Sequence, residues 1–281
     1  MAAVFSNKGY DRRNMKNTKS LKTYSLLFLM LLISSACTES QLIRISGTTQ
    51  ASDIIINQPD EVQVEVFFEE SAAPRVGLNS SGIDAWSILE DNLFEIYRGK
   101  KAQQRLFVPK TLSEMTRISD QQVTTWSTQD ITRLAFESQI TPQSLGRVVF
   151  VVLFLNGVLA TGERNGTGTI GLSIGNTRII AIFQDVIDRA SGSEDVKMFM
   201  EQSTLVHEMG HAIGLVNRGI PLTTEHLDEL NGAHCTNTQC TMFWLNEGAA
   251  DLEAFVARYI ESGSTILFGE ECLRDIREFS L

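Results

Sequence analysis

The chain has 281 residues, of which 43% are hydrophobic and 21% charged, with only 5 prolines. These proportions exclude a disordered, collagen-like or coiled-coil chain and predict a globular protein with a substantial core. The net charge of −10 argues against a nucleic-acid partner, since such binding depends on clustered Lys and Arg. All four histidines, His207, His211, His226 and His234, lie within 28 residues of one another.

The N-terminus has the order of segments that is typical of a signal peptide. Six Lys and Arg residues precede an apolar run at residues 26–33, which small residues at 34–36 follow. A buried core strand is the alternative, but the flanking positive charges argue against it. The run is far shorter than the roughly 20 residues of a membrane-spanning helix. We therefore predict an export signal at residues 1–36, whose removal would leave a net charge of −15.

Ala36-Cys37 resembles the lipobox of bacterial lipoproteins, in which the cysteine carries a lipid. Ser34 stands where that motif usually has Leu, and residues 34–36 also fit an ordinary secretory cleavage site. The resemblance implies lipidation at Cys37 and a place in the bacterial cell envelope, facing the periplasm or the cell surface. Without the lipid the protein would be secreted. Anionic headgroups would repel so acidic a protein, so we expect membrane attachment through the lipid alone.

Hydrophobic periodicity then predicts the elements in chain order. Residues 37–60 are polar without a strong period and predict a tether with at most one short strand. The predicted elements that follow are a half-buried strand at 62–68, helices at 83–97 and 129–138, a central strand at 148–155, glycine-rich hairpin turns at 157–175, a strand at 178–183, a helix at about 194–214 and more helix after 248. Because no regular βαβ alternation occurs, we expect one α+β domain at 61–281 rather than a doubly wound sheet.

The motif His207-Glu208-Met209-Gly210-His211 lies in the predicted helix at 194–214. Residues four apart share a helix face, so both histidines can bind one metal ion. Neutral imidazoles with an open coordination position suit Zn²⁺, and apolar neighbours argue against a solvated helix without metal. Glu208 points about 100° away and can take a proton from an activated water. The motif predicts one catalytic zinc ion and peptide-bond hydrolysis with Glu208 as general base.

The stretch from His207 to Gly214 resembles the metzincin metallopeptidases, in which the chain turns sharply at this glycine. The resemblance implies a mixed sheet, an active-site helix and a third histidine three residues after the glycine. This sequence has Asn217 at that position. The third ligand must therefore come from elsewhere, and His226 and His234 are the remaining histidines.

His234-Cys235, Cys240 and Met242 have the spacing of the corresponding archaemetzincin segment, which this chain resembles. The resemblance implies that His234 is the third zinc ligand and that Met242, in the Met-turn, forms an apolar floor below the metal. The stretch between Gly214 and His234 is longer than in archaemetzincins, so His226 remains an alternative ligand. Residues 201–244 also resemble secreted bacterial lipoprotein metallopeptidases, in agreement with the N-terminus.

The cysteines depart from the archaemetzincin pattern. That family has a later Cys-x-x-Cys pair that completes a second, structural site of four cysteines, whereas this chain has only Cys272 beyond Cys240. A four-cysteine site is therefore not expected. In an exported protein a disulfide between Cys235 and Cys240 would close a small loop that fixes His234. Cys272 would be free or would pair with either of them.

Two other interpretations remain open. Residues 244–251 resemble the gluzincin segment whose glutamate, here Glu247, is the third zinc ligand, with Asp251 one turn later to orient a histidine. Both could equally be the acidic first turn of a helix. A catalytically silent envelope lipoprotein that uses zinc structurally is the other interpretation. Glu208 argues against it, because a structural site has no use for a general base.

The substrate expected from the metzincin resemblance is a protein or peptide. Metzincins bind the peptide as an added strand along a sheet edge, and the strand predicted at 178–183 is the candidate edge.

Overall fold

A mostly parallel β-sheet forms the centre of the fold. The computed structural model describes residues 50–100, 105–144, 146–160, 168–175, 177–244 and 249–279. The predicted signal peptide, Cys37 and the first part of the predicted tether lie outside these residues. All elements described below belong to one compact unit.

Strands and helices are mixed along the chain. They are α1 (residues 50–56), β1 (Glu61–Glu69), α2 (Ala85–Tyr97), β2 (Arg105–Phe107), β3 (Thr116–Ile118), β4 (Thr125–Trp126), α3 (Thr128–Ser138), β5 (Arg147–Leu155), β6 (Val158–Leu159), β7 (Gly171–Ser173), β8 (Ile179–Phe183), α4 (Gln184–Arg189), α5 (Glu194–Ile213), α6 (Ala249–Ser262) and α7 (Glu270–Glu278). The predicted α+β class is confirmed. Helices α2, α3, α5 and α6 and strand β5 lie close to their predicted positions, whereas α4 was not predicted.

The main sheet has the strand order β2-β1-β5-β8-β7, and β3 also pairs with β1. All pairs are parallel except β7 with β8, so the sheet is mixed, as predicted. Strand β8 lies between β5 and β7, and every one of its residues is buried. The expectation that this strand forms the sheet edge is therefore wrong. A strand that is apolar on both faces suits an internal position, and β7 is the edge of the described sheet.

Strand β1 is buried on both faces, although its alternating sequence predicted a half-buried strand. Glu61, Glu65 and Glu69 are buried together with the apolar residues between them. Their carboxylates are satisfied by partners from distant parts of the chain. Arg147 donates to Glu61 at 2.6 Å, and backbone N–H groups of neighbouring loops donate to Glu65 and Glu69. The alternation therefore marks polarity rather than exposure.

Helix α1 lies within the stretch interpreted as a tether. Ile55 and Ile56 are 2% and 0% exposed, whereas Ile54 is 44% exposed. The Tyr97 hydroxyl donates to the Ile55 carbonyl at 3.1 Å. Residues from 50 onward are therefore packed into the core, ahead of the predicted domain start at residue 61.

Helix α5 is packed on several sides. It contacts α2 and α6 and also the strands β7 and β8. This packing places the helix that carries His207 and His211 beside the edge strand β7. None of the helices among the described residues has the length and hydropathy needed to span a membrane.

Candidate metal centre

The two ends of α5 are both capped. The Ser193 hydroxyl accepts the N–H of Val196 at 3.4 Å, and Glu194 and Asp195 lie in the first turn, where the helix dipole favours negative charge. Gly214 ends the helix with φ of +100°, a left-handed conformation that glycine adopts without steric cost. The helix therefore ends at Ile213, two residues after His211.

The chain turns away directly after Gly214. A side chain there has no room, because a Cβ would lie 2.2 Å from the Ser52 hydroxyl. Val216 and Asn217 are also left-handed, with φ of +52° and +60°. Asn217, which stands where the metzincin resemblance implies a histidine, is exposed. The sharp turn that the resemblance implies is thus present, without a ligand at its third position.

His207, His211 and His234 come together in one buried cluster. Their potential ligand atoms all lie within 4.8 Å of one another, and the Nε2 atoms of His207 and His211 are 3.1 Å apart. Ring centroids are 4.7 to 5.4 Å apart. Two nitrogens tetrahedrally bound at about 2.05 Å to one Zn²⁺ would be about 3.3 Å apart. The spacing of the first two histidines therefore fits a shared zinc ion.

Hydrogen bonds to backbone carbonyls orient two of these rings. His207 Nδ1 donates to the Thr241 carbonyl at 2.6 Å, and His234 Nδ1 donates to the Asn231 carbonyl at 2.8 Å. Because a carbonyl can only accept, each Nδ1 carries the proton and each neutral ring keeps its Nε2 lone pair. A metal ligand needs this tautomer, so the donor set fits Zn²⁺.

His234 is held by a short antiparallel bridge between the segments around residues 227 and 235. Leu227 and Cys235 form the bridge, the Asp228 N–H donates to the His234 carbonyl, and the Cys235 N–H donates to the Met242 carbonyl, both at 2.8 Å. The peptide unit that joins His234 to Cys235 is thus hydrogen-bonded to two separate segments.

Glu208 is 4% exposed and faces the edge strand. A Cβ added to Gly171 of β7 would lie 2.9 Å from Glu208 Cγ and 2.5 Å from Thr204 Cγ2. Only a glycine lets the strand approach the helix so closely. The carboxylate that the motif predicts as general base therefore lies beside the strand that a peptide could extend.

Met242 packs against α5 between the two histidines of the motif. It is fully buried, and a Cβ on Gly210 would lie 2.4 Å from its sulfur. That Met242 forms an apolar floor below a metal stays a prediction.

A second buried group lies a short distance along the chain. His226 Nδ1 is 3.3 Å from Cys235 Sγ, and Cys240 Sγ is 3.6 Å from Cys272 Sγ. The ligand atoms of His226, Cys235 and Cys272 all lie within 4.8 Å of one another. The structure therefore separates His226 from the three-histidine cluster.

The predicted disulfide between Cys235 and Cys240 is absent from the structure. The sulfur of Cys235 lies instead beside the His226 ring. Hydrogen bonds from Cys240, Cys272 and His226 lower the pKa of Cys235. The hydrogen bond with Asp275 raises the pKa of His226 to about 9. The cluster is thus a polar group of four side chains rather than a cystine.

Asp275 and Gly171 were missed by the sequence analysis. Asp275 lies 49 residues after His226 and accepts a hydrogen bond from its Nε2 at 2.7 Å. No local sequence pattern indicates this contact. Glu247 lies outside the described residues, as does the side chain of Asp251, so the gluzincin interpretation stays a prediction.

No protein-family model and no curated protein resembles the chain closely enough to count as a match. Similar solved structures include an archaemetzincin from Methanopyrus kandleri, at 13% identity and a TM-score of 0.41, over 76% of this chain and 93% of that one. Another is a zinc-dependent peptidase from Methanocorpusculum labreanum, at 12% identity and a TM-score of 0.43, over 76% and 99%. A third is an archaemetzincin from Archaeoglobus fulgidus complexed with malonate, at 15% identity and a TM-score of 0.37, again over 76% and 99%. At such low similarity, the functional conclusion rests on the geometry of the site.

Proposed function

We propose that this chain is an exported zinc metalloendopeptidase. His207, His211 and His234 would hold one catalytic zinc ion, and Glu208 would be the general base. The observation that carries this proposal is the convergence of three buried histidines beside a buried glutamate. Three protein ligands leave one coordination position open, which is typical of catalytic rather than structural zinc sites.

Each residue of the site has a defined part in hydrolysis. When bound, Zn²⁺ supplies a Lewis acid that activates water and polarises a carbonyl. Glu208 accepts the proton of the attacking water at its carboxylate and donates it to the departing amine nitrogen. The carbonyls of Thr241 and Asn231 keep the His207 and His234 rings in the tautomer and orientation that a ligand needs.

The proposed substrate is a peptide that adds as a strand to β7. Backbone hydrogen bonds of Ile170 and Ile174 are directed toward β8. Because these directions alternate along an antiparallel strand, the N–H and carbonyl groups of Gly171 and Ser173 face away from β8. A peptide bound to them would lie beside Glu208.

Replacement of Glu208 by glutamine is the principal test. The variant should keep its zinc, because Glu208 is not a ligand, and should lose hydrolysis of a generic protein substrate by about 10²–10⁴-fold. Glu137→Gln changes an exposed carboxylate on α3 in the same way and should leave activity unchanged. Full activity in zinc-loaded Glu208→Gln protein would disprove the proposed mechanism.

Zinc content of three single variants tests the ligand set. We expect His234→Ala to lose the catalytic zinc together with activity, whereas Glu247→Ala should keep both. His226→Ala should keep the catalytic ion, because His226 lies in the other buried group. Loss of activity and of that ion in Glu247→Ala alone would instead favour the gluzincin interpretation.

Export and lipidation at Cys37 are a separate part of the proposal, supported by the sequence of the N-terminus. In a bacterial host, the wild-type chain should incorporate labelled fatty acid and fractionate with membranes. Cys37→Ser should be released in soluble form. A wild-type chain that is exported without label would be secreted instead.

A further inference from the structure

The second buried group brings together four side chains that are common zinc ligands. His226 Nδ1 lies close to Cys235 Sγ, and Cys240 Sγ lies close to Cys272 Sγ. The two pairs are adjacent, because the Sγ atoms of Cys235 and Cys272 lie within 4.8 Å of each other. All four residues are buried. No part of the proposed hydrolytic site uses them.

The distances fit a tetrahedral ion. Two sulfurs bound at about 2.3 Å to one Zn²⁺ would be about 3.8 Å apart, and a sulfur and a nitrogen about 3.5 Å. The structure has 3.6 Å between Cys240 Sγ and Cys272 Sγ and 3.3 Å between Cys235 Sγ and His226 Nδ1. Each of these two pairs is thus spaced as ligands of one ion, and Cys235 Sγ and Cys272 Sγ, which lie within 4.8 Å of each other, connect the two pairs.

His226 is held in the orientation of a ligand. Its Nε2 lies 2.7 Å from an Asp275 carboxylate oxygen, which leaves Nδ1 directed at the sulfurs. Asp275 is 1% exposed and is itself fixed by the Thr223 N–H and hydroxyl at 2.7 and 2.8 Å. A carboxylate behind the second ring nitrogen is the usual support of a zinc-binding histidine.

The sulfurs also have the surroundings of bound thiolates. The backbone N–H of Gly269 donates to Cys240 Sγ at 3.1 Å, and that of Asn237 donates to Cys235 Sγ at 3.4 Å. A nucleophilic triad would have the same sequence of contacts, from Cys235 to His226 to Asp275. Cys235 is 0% exposed, however, so no substrate can reach its sulfur. Burial therefore favours a structural role.

We propose that Cys235, Cys240, Cys272 and His226 bind a second, structural zinc ion. With four protein ligands the coordination sphere is closed, as in structural zinc sites. The fourth ligand comes from the segment between Gly214 and His234, so the site differs from the four-cysteine one that the family resemblance implies and that this chain lacks. The proposal goes beyond the proposed peptidase function and does not depend on it.

The second ion would fix the backbone that carries the catalytic ligand. Cys235 follows His234 directly, and Cys240 precedes Met242 by two residues. Cys272 lies on α7, so one ion would tie the His234 segment and the Met242 turn to the C-terminal helix. The segment between Gly214 and His234 would also be held in place, because His226 would bind the same ion.

Cobalt substitution of the full-length wild-type chain tests the proposal without any variant. Two cobalt ions per chain are expected, with a strong near-ultraviolet band from thiolate-to-cobalt charge transfer, since only the proposed site contains sulfur ligands. Binding of one cobalt without this band would overturn the proposal and leave the peptidase proposal intact. A charge-transfer band in a chain without peptidase activity would support the second metal site and contradict the peptidase proposal.

Single variants locate the second ion. Cys272→Ser should lose the band and one metal, whereas Cys37→Ser, which replaces the remaining cysteine, should keep both ions. His234→Ala should keep the band and lose the other metal. Asp275→Asn should weaken retention of the second zinc about 10–100-fold, as expected of a group that orients a ligand. Disulfides found among Cys235, Cys240 and Cys272 by mass spectrometry of the native chain would contradict the proposal.

Discussion

Glu201 lies fully buried on α5, six residues before His207. Its carboxylate accepts the backbone N–H of Arg75 at 3.0 Å and the amide of Gln184 at 2.6 Å. Burial nevertheless raises its pKa from the ordinary 4.5 to about 7. The desolvation of the charge therefore outweighs the hydrogen bonds and the neighbouring guanidinium.

This pKa predicts a pH dependence of stability. Between pH 4.5 and about 7 the folded state holds the Glu201 proton more tightly than the unfolded state does. The stabilising contribution is complete below pH 4.5 and is lost as the pH rises to about 7. In urea unfolding, the free energy of Glu201→Gln relative to wild type should rise across this range by up to about 1.4 kcal/mol per pH unit.

Glu194→Gln is the matched control for that measurement, because Glu194 pairs with the same Arg75 but is 77% exposed. A Glu201→Gln difference from wild type that does not change across this pH range would show that burial does not raise the pKa of Glu201.

At the residue scale, the sequence predicted groups that lie close along the chain and missed those that folding brings together. His207, Glu208 and His211 follow from helical spacing alone. Asp275 becomes a partner of His226 only because α7 packs against the segment around residue 226, and no sequence pattern encodes that contact. The expected export of the protein led to the prediction of a disulfide between Cys235 and Cys240. The arrangement of the sulfurs depends instead on α7, which brings Cys272 next to Cys240.

The crossing of β7 over α5 is the contact between elements that matters most for the proposed activity. It depends on Gly171, since a Cβ there would press on Thr204 and Glu208. We expect Gly171→Ala to lower kcat by displacing Glu208 while zinc content stays unchanged. Stability should fall by about 1–3 kcal/mol, the usual cost of overpacking.

Gly168→Ala is the control for this variant, because a Cβ at Gly168 would meet nothing within 4 Å. Measurement of kcat, KM and metal content distinguishes a displaced Glu208 from a loss of zinc. A Gly171→Ala enzyme with wild-type kcat would mean that Glu208 has room to move.

At the element scale, long periodic segments were predictable and sheet position was not. Helix α5 and strand β5 lie almost at their predicted residues because their apolar residues recur at a clear period or fill the whole strand. The position of β8 depends on whether another strand covers it. The three-residue β7 does so, and it is too short to produce a pattern.

At the scale of the whole molecule, the domain includes a helix that composition alone assigned to a tether. Ile56→Ala should lower the free energy of unfolding by about 2–5 kcal/mol, because Ile56 is 0% exposed and its loss would leave a cavity. Ile54→Ala, at a position 44% exposed on the same helix, should change it by less than about 0.5 kcal/mol. Equal effects in chemical unfolding would show that α1 does not belong to the core.

The place of Gly171 at the start of β7 also gives a direction to the peptide proposed to pair with this strand. Antiparallel strand pairs are commoner than parallel ones. In an antiparallel pair with β7, the N-terminal part of the peptide would lie beside Ser173 and the chain would run toward Gly171. Because Glu208 lies beside Gly171, the bond to be cut would be near that end. The residues that precede the cut would then pair along β7, and those that follow it would extend beyond the strand. Backbone pairing would thus fix the N-terminal half of the substrate, so product release would depend on that half.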